Sequence, residues 1–109
     1  MKSFDWNLFK DKRNNRIAVR CKTKEEAKDF CLRMHEQGLK WCSGRSYLRR
    51  NCWDEYKEKT CYSNRGEFSP IDYYKHDGYT VFEYSDYFDN DRVESIEEFI
   101  LRTKRNVEF

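Results

Sequence analysis

The chain has 109 residues, 38% hydrophobic, 39% charged and 17% aromatic, with a formal net charge of +2. Eight Phe, eight Tyr and three Trp exclude a disordered polyelectrolyte, because large rings bury the apolar area that offsets the entropy of ordering. No stretch approaches the ~20 consecutive apolar residues of a membrane-spanning helix, so no membrane partner is expected, and the length fits a single α+β domain over residues 1–109.

The opening segment Ser3-Phe4-Asp5-Trp6-Asn7-Leu8-Phe9 alternates like a strand. It also fits a helical turn capped by Ser3 that places Trp6 and Phe9 on one side, and that turn is the expectation. Residues 16–21 read as a strand with Ile17, Val19 and Cys21 on one face. Thr23-Lys24-Glu25-Glu26 is a capping box, in which the Thr23 hydroxyl accepts from the Glu26 amide and the Glu26 carboxylate reaches back to the Thr23 amide. Ala27, Phe30, Cys31 and Met34 follow at helical spacing, and Gly38 supplies a left-handed cap, so a helix is predicted over about residues 24–37.

Leu39-Lys40-Trp41-Cys42 is expected as a second strand ended by Ser43-Gly44, and Lys59-Thr60-Cys61-Tyr62 as another before a turn at residues 63–66. Asp77-Gly78, between residues 73–75 and 79–84, is a hairpin signal. Ser95-Ile96-Glu97-Glu98 is a second capping box, opening a helix with Ile96, Phe99 and Ile100 on one face. The order predicts an α+β fold with one mainly antiparallel sheet of about 4–5 strands, a central helix on one face and a C-terminal helix. A crossover through the helix at 24–37 would make one strand pair parallel, which the sequence leaves open.

The chemistry-bearing residues are sparse. Five cysteines, with no C-x-x-C pair and no apolar signal-peptide core, point to reduced thiols in a cytoplasmic setting. Cys31 and His35 stand four apart on the predicted helix, but no second ligand pair accompanies them, so no metal site is expected. His76 falls at a turn, and nothing brings either histidine to a nucleophile. Ser43-Gly44-Arg45 is too short for a phosphate loop. No catalytic residue and no cofactor are expected.

Charge is segregated. Residues 1–66 hold 17 Lys and Arg against 9 Asp and Glu, whereas residues 67–99 hold two against ten. In the basic part, Arg45, Arg49, Arg50, Lys57, Lys59 and Arg65 alternate with Trp41, Tyr47, Trp53, Tyr56 and Tyr62, a mixture suited to phosphates and stacked bases. The bland reading makes those rings core and the cations a solvated rim. In the acidic part, Glu83, Asp86, Asp89, Asp91, Glu94, Glu97 and Glu98, with Tyr84, Tyr87 and Phe88 among them, form a carboxylate row that can face a basic partner. Its bland counterpart is a solvated loop followed by acids favoured at a helix N-terminus.

Residues 6–10, the strand Ile17-Ala18-Val19-Arg20-Cys21, the capped helix Thr23–Gly38, Lys40-Trp41-Cys42-Ser43-Gly44, Thr60-Cys61-Tyr62 and Gly78-Tyr79-Thr80-Val81 resemble small phage and prophage proteins of Gram-positive bacteria. Some small phage proteins of this size are anti-defence factors, including anti-CRISPR inhibitors that bind a Cas effector. The resemblance implies a stoichiometric inhibitor of a host defence protein such as a nuclease effector complex, acting in the host cytoplasm. No residue role carries over from the resemblance; the acidic, aromatic stretch itself makes Glu83, Asp86, Tyr87, Asp89, Asp91 and Glu94 the expected partner-binding residues. The alternative is a nucleic-acid- or nucleotide-binding protein using Arg45, Arg49, Arg50 and Lys57. The opposite-sign halves also permit a homo-oligomer.

Overall fold

The computed structural model describes residues 2–88. The C-terminal helix expected at residue 95 onward lies outside the described residues.

Four strands form one sheet: β1 (Ile17–Arg20), β2 (Thr60–Ser63), β3 (Phe68–Pro70) and β4 (Thr80–Glu83), in the order β3-β2-β1-β4. The β1–β2 and β2–β3 pairs are antiparallel, with Val19 opposite Tyr62 and Cys61 opposite Ser69. The β1–β4 pair is parallel, with Ala18 opposite Val81 and Val19 opposite Phe82. The fold is therefore α+β, with a mixed, mostly antiparallel sheet.

Strand alternation divides the buried side chains between two faces. Ile17, Val19, Cys21 and Tyr62 join the larger core, and Ala18 and Cys61 join the smaller one. Helix α2 (Lys24–Glu36) covers the first face with Ala27, Phe30, Cys31 and Met34, the stripe expected from spacing. Full burial of Phe30 and Met34 contributes about 1.5–3 kcal/mol each. The Thr23 hydroxyl caps the helix at 3.1 Å from the Glu26 amide. The Glu26 carboxylate instead accepts from the Lys22 amide at 2.8 Å, one residue earlier than a capping box requires. At the other end, Gly38 N–H donates to His35 O and Leu39 N–H to Met34 O, both at 3.0 Å, which closes the helix as a Schellman motif.

Helix α1 (Trp6–Lys10) is the expected short turn, but Asp5 rather than Ser3 caps it. Phe4, Trp6 and Phe9 pack around Phe30, with Trp6 and Phe30 stacked at 5.8 Å between centroids. Such ring pairs contribute about 0.5–1.5 kcal/mol beyond their area.

Two expectations are corrected. Residues 39–42 form no strand. The Trp41 amide donates to Arg45 O at 3.0 Å and the Cys42 amide to Gly66 O at 2.9 Å, so this segment closes a turn and ties to the turn after β2 instead of extending a ladder. The hairpin at Asp77-Gly78 is also absent, because residues Ile71–His76 form a helix, α4, on the second face of the sheet. Gly78 (φ +80°) follows it with Tyr79 N–H donating to Tyr74 O at 2.9 Å. A hairpin turn and a helix C-terminus both call for a glycine in the left-handed region, and burial of Tyr74 against Ala18 and Cys61 decides between them. A short helix, α3 (Trp53–Tyr56), and a 3-10 turn, Lys57–Lys59, precede β2; β3 extends the sheet where no strand is expected from sequence.

After β4, a 3-10 turn at Tyr84–Asp86 carries the chain back onto α2. The Tyr84 hydroxyl donates to the buried Asp29 carboxylate, which also takes Arg33 Nε at 2.6 Å. Arg33 lies over the Phe88 ring at 4.6 Å. No helix among the described residues is long and apolar enough to cross a membrane.

Candidate functional site

The segment joining α2 to β2 carries most of the basic and aromatic residues singled out in the sequence, and its backbone is held by specific bonds. Gly44 N–H closes a tight turn on Trp41 O at 2.7 Å. The Trp41 indole Nε1 donates to Arg50 O at 3.2 Å, and the Trp53 indole to Cys21 O at 3.2 Å. Tyr62 donates its hydroxyl to Asn51 O. Cys52 (φ +60°) and Lys57 (φ +54°) flank α3 in the left-handed region, which costs a non-glycine residue roughly 1 kcal/mol or more.

These ties create a groove of about 450 Å³ lined by Trp41, Cys42, Ser43, Arg45, Arg50, Cys52, Gly66, Glu67 and Phe68. Trp41 and Phe68 meet edge to face at 5.8 Å, and Trp41 rests on buried Tyr47 at 4.5 Å. Gly66 is the joint between the groove's two sides. A Cβ there would lie 2.5 Å from Cys42 N and 3.0 Å from both Lys40 O and Trp41 C.

Of the four cations expected at a nucleic-acid site, Arg45 and Arg50 line the groove, whereas Arg49 and Lys57 are exposed outside it. Arg50 Nε donates to Cys52 Sγ at 3.1 Å, and its Nη2 stands 3.9 Å from the Glu55 carboxylate. Both partners of that ion pair are more than half exposed, so the pair is weak and leaves the guanidinium available. Tyr47 and Tyr62 belong to the core, Trp41 and Trp53 are half-buried against it, and Tyr56 is exposed. Phe68, Cys52 and Glu67 were missed in the sequence reading. Phe68 stands two residues past Gly66, and carrying the alternation past the turn at residues 63–66 was the signal available.

A second concavity shares Cys42 and Glu67 with the groove and adds Lys12, Arg13 and Arg65. Arg65 Nη2 donates to Lys12 O at 3.0 Å, and Asn64 Nδ2 to Asn15 O at 2.9 Å, which fasten the loop after α1 to the turn after β2. The basic run Lys10-Asp11-Lys12-Arg13 was the missed sequence signal here.

The acidic residues are placed differently. Glu83 is paired with Arg20 at 2.8 Å across the parallel strands. Asp86 is exposed on the turn after β4. Tyr87 is half-buried between Phe4 and Phe82, with the Lys2 ammonium 5.9 Å above its ring. Asp89, Asp91 and Glu94 lie outside the described residues.

No group of three or more His, Cys, Asp or Glu with metal-binding proximity occurs among the described residues. Cys21, Cys31 and Cys61 are buried, and burial pushes all three thiols up, Cys61 to about 12. A thiol held protonated is a poor nucleophile. His35 Nδ1 stands 3.4 Å from Ser46 Oγ, beside the Ser46–Leu48 turn and not in the groove. Comparison with protein-family models, with curated proteins and with solved structures finds no match.

Proposed function

We propose that this chain works by binding, and that the groove between Trp41 and Phe68 takes a base-bearing phosphate ligand, a nucleotide or a single strand. One observation carries the reading: two guanidinium-bearing residues and two aromatic rings converge in one concavity of ligand-site volume. Stacking a base on such a ring contributes about 1–3 kcal/mol and tolerates any sequence, while Arg45 and Arg50 supply salt-sensitive attraction for phosphate. In the phage setting implied by the resemblance, such a groove inhibits stoichiometrically by occupying a strand or nucleotide that a host defence complex needs, in the host cytoplasm.

Titration of tryptophan fluorescence with mononucleotides and short single strands tests this. Quenching that weakens with salt and disappears in Arg45→Glu/Arg50→Glu supports the groove. No quenching by any base-bearing ligand at low salt rejects it.

A second reading makes the acidic face the working surface of an anti-CRISPR-like inhibitor of a nuclease effector. Its supporting observation is the turn after β4, which leaves Asp86 exposed beside Tyr87. Charge reversal at Asp86, Asp89 and Asp91 abolishes inhibition if this face is used, and inhibition by the folded variant removes it.

A further inference from the structure

We infer that the groove continues into a second phosphate subsite, formed by Lys12, Arg13 and Arg65, so that its occupant is a single-stranded nucleic acid laid across both concavities. The inference rests on the groove reading above and narrows its ligand class. The two hollows are contiguous through Cys42 and Glu67. Their position relative to each other is fixed by bonds within one structural unit: Cys42 to Gly66, Arg65 to Lys12, and Asn64 to Asn15. A polyanion therefore meets a preformed path and not two mobile loops.

Charge favours a strand over an isolated nucleotide. Five cations border the path (Arg45 and Arg50 at one end, Lys12, Arg13 and Arg65 at the other) against Glu67 in the linings and the exposed Glu55 beside Arg50. Among the described residues no ion pair engages Lys12, Arg13, Arg45 or Arg65. The neighbouring Asp11 carboxylate is taken by Asn14 Nδ2 at 3.0 and 3.2 Å. A mononucleotide with its base on Trp41 carries one phosphate, which the first pair of arginines can neutralise, and so gives the second set of cations nothing to bind. Successive phosphates of a strand reach both, and each neutralised phosphate releases counterions. Glu67, at the junction, is an acceptor suited to an amino or hydroxyl donor on a base or sugar.

The test compares thymidine monophosphate, a nucleoside triphosphate, an eight-nucleotide oligo-thymidylate and a short duplex, on the wild type and on Lys12→Glu/Arg13→Glu. The strand is expected to bind at least about tenfold more tightly than the monophosphate at low salt, with log K falling against log salt at a slope of about −2 to −3, as three to four phosphate contacts require. The double variant is expected to remove that gain while leaving monophosphate affinity unchanged. Equal binding of monophosphate and strand, or a strand affinity untouched by the double variant, overturns the second subsite and leaves the groove standing. A triphosphate as tight as the strand assigns Lys12 and Arg13 to a polyphosphate tail and overturns the strand. A duplex that binds equally well without quenching tryptophan reduces the path to surface electrostatics and overturns it too. Failure of every ligand takes the groove reading down with it.

Discussion

Gly66→Ala is the substitution whose consequence follows most directly from the coordinates. Gly66 has φ +77°, and an L side chain there is strained by roughly 1–2 kcal/mol. The added methyl also meets backbone atoms on the facing segment, the nearest at 2.5 Å, so no rotamer change relieves it. Either the 40–42 segment moves or the bond from Cys42 N–H to Gly66 O is lost; overpacking costs about 1–3 kcal/mol and the bond about 1 kcal/mol. Strain plus either alternative comes to about 2–5 kcal/mol, a large share of the ~5–15 kcal/mol that holds a domain folded. Gly38→Ala is the control: φ is +81° there, but a methyl meets nothing within 4 Å, so only the strain applies. Urea unfolding followed by far-UV circular dichroism should place Gly66→Ala below Gly38→Ala by about 1–3 kcal/mol, or roughly 0.5–2 M in midpoint. Equal midpoints for the two variants would refute the claim that Gly66 is where the two sides of the groove meet.

High pH is expected to unfold the protein steeply. Burial raises the Tyr74 hydroxyl and the Cys61 thiol to about 12, and raises Tyr47, Tyr62, Tyr84, Cys21 and Cys31 as well. The unfolded chain releases these protons first, thiols near ~8.5 and phenols near ~10, so stability falls as pH rises through those values and keeps falling until the folded groups ionise. Each group contributes about 1.4 kcal/mol per pH unit, which brings loss of circular dichroism and the tyrosinate absorbance of the buried tyrosines together at about pH 10–11; buried tyrosines that ionise near pH 10 with the fold intact contradict this. Tyr74→Phe is expected to stabilise by about 1 kcal/mol, because the buried hydroxyl has Ser63 and Ser69 nearby yet closes no hydrogen bond, and a lower unfolding midpoint would show that it is satisfied after all.

The local parts of the fold were readable because each had its own chemistry. Thr23 fixes the start of α2, Gly38 its end, and the alternation of Ile17, Val19 and Cys21 names the face of β1. What failed was read from motifs that two structures share. Asp77-Gly78 serves a helix C-terminus as well as a hairpin, and Tyr74, buried under the sheet, makes the difference only through contacts distant in sequence. Lys40-Trp41-Cys42 alternates like a strand, but its amides are satisfied by Arg45 and Gly66. The parallel pairing of β1 with β4 spans some sixty residues and leaves no local mark. At the site, the interleaving of rings and cations was visible in sequence. That Arg45 and Arg50 converge while Arg49 and Lys57 diverge depends on the turn at Trp41–Arg45 and on the indole bond to Arg50 O, neither of which composition encodes.

Backbone and indole amide shifts recorded during titration with an eight-nucleotide single strand test the binding groove most directly. The Trp41 indole N–H and the amides of Cys42, Gly66 and Arg65 should move together and saturate at one equivalent, with Lys12 and Arg13 following. Shifts confined to residues 83–88, or none in the presence of excess strand, would contradict the groove as the working surface of this protein.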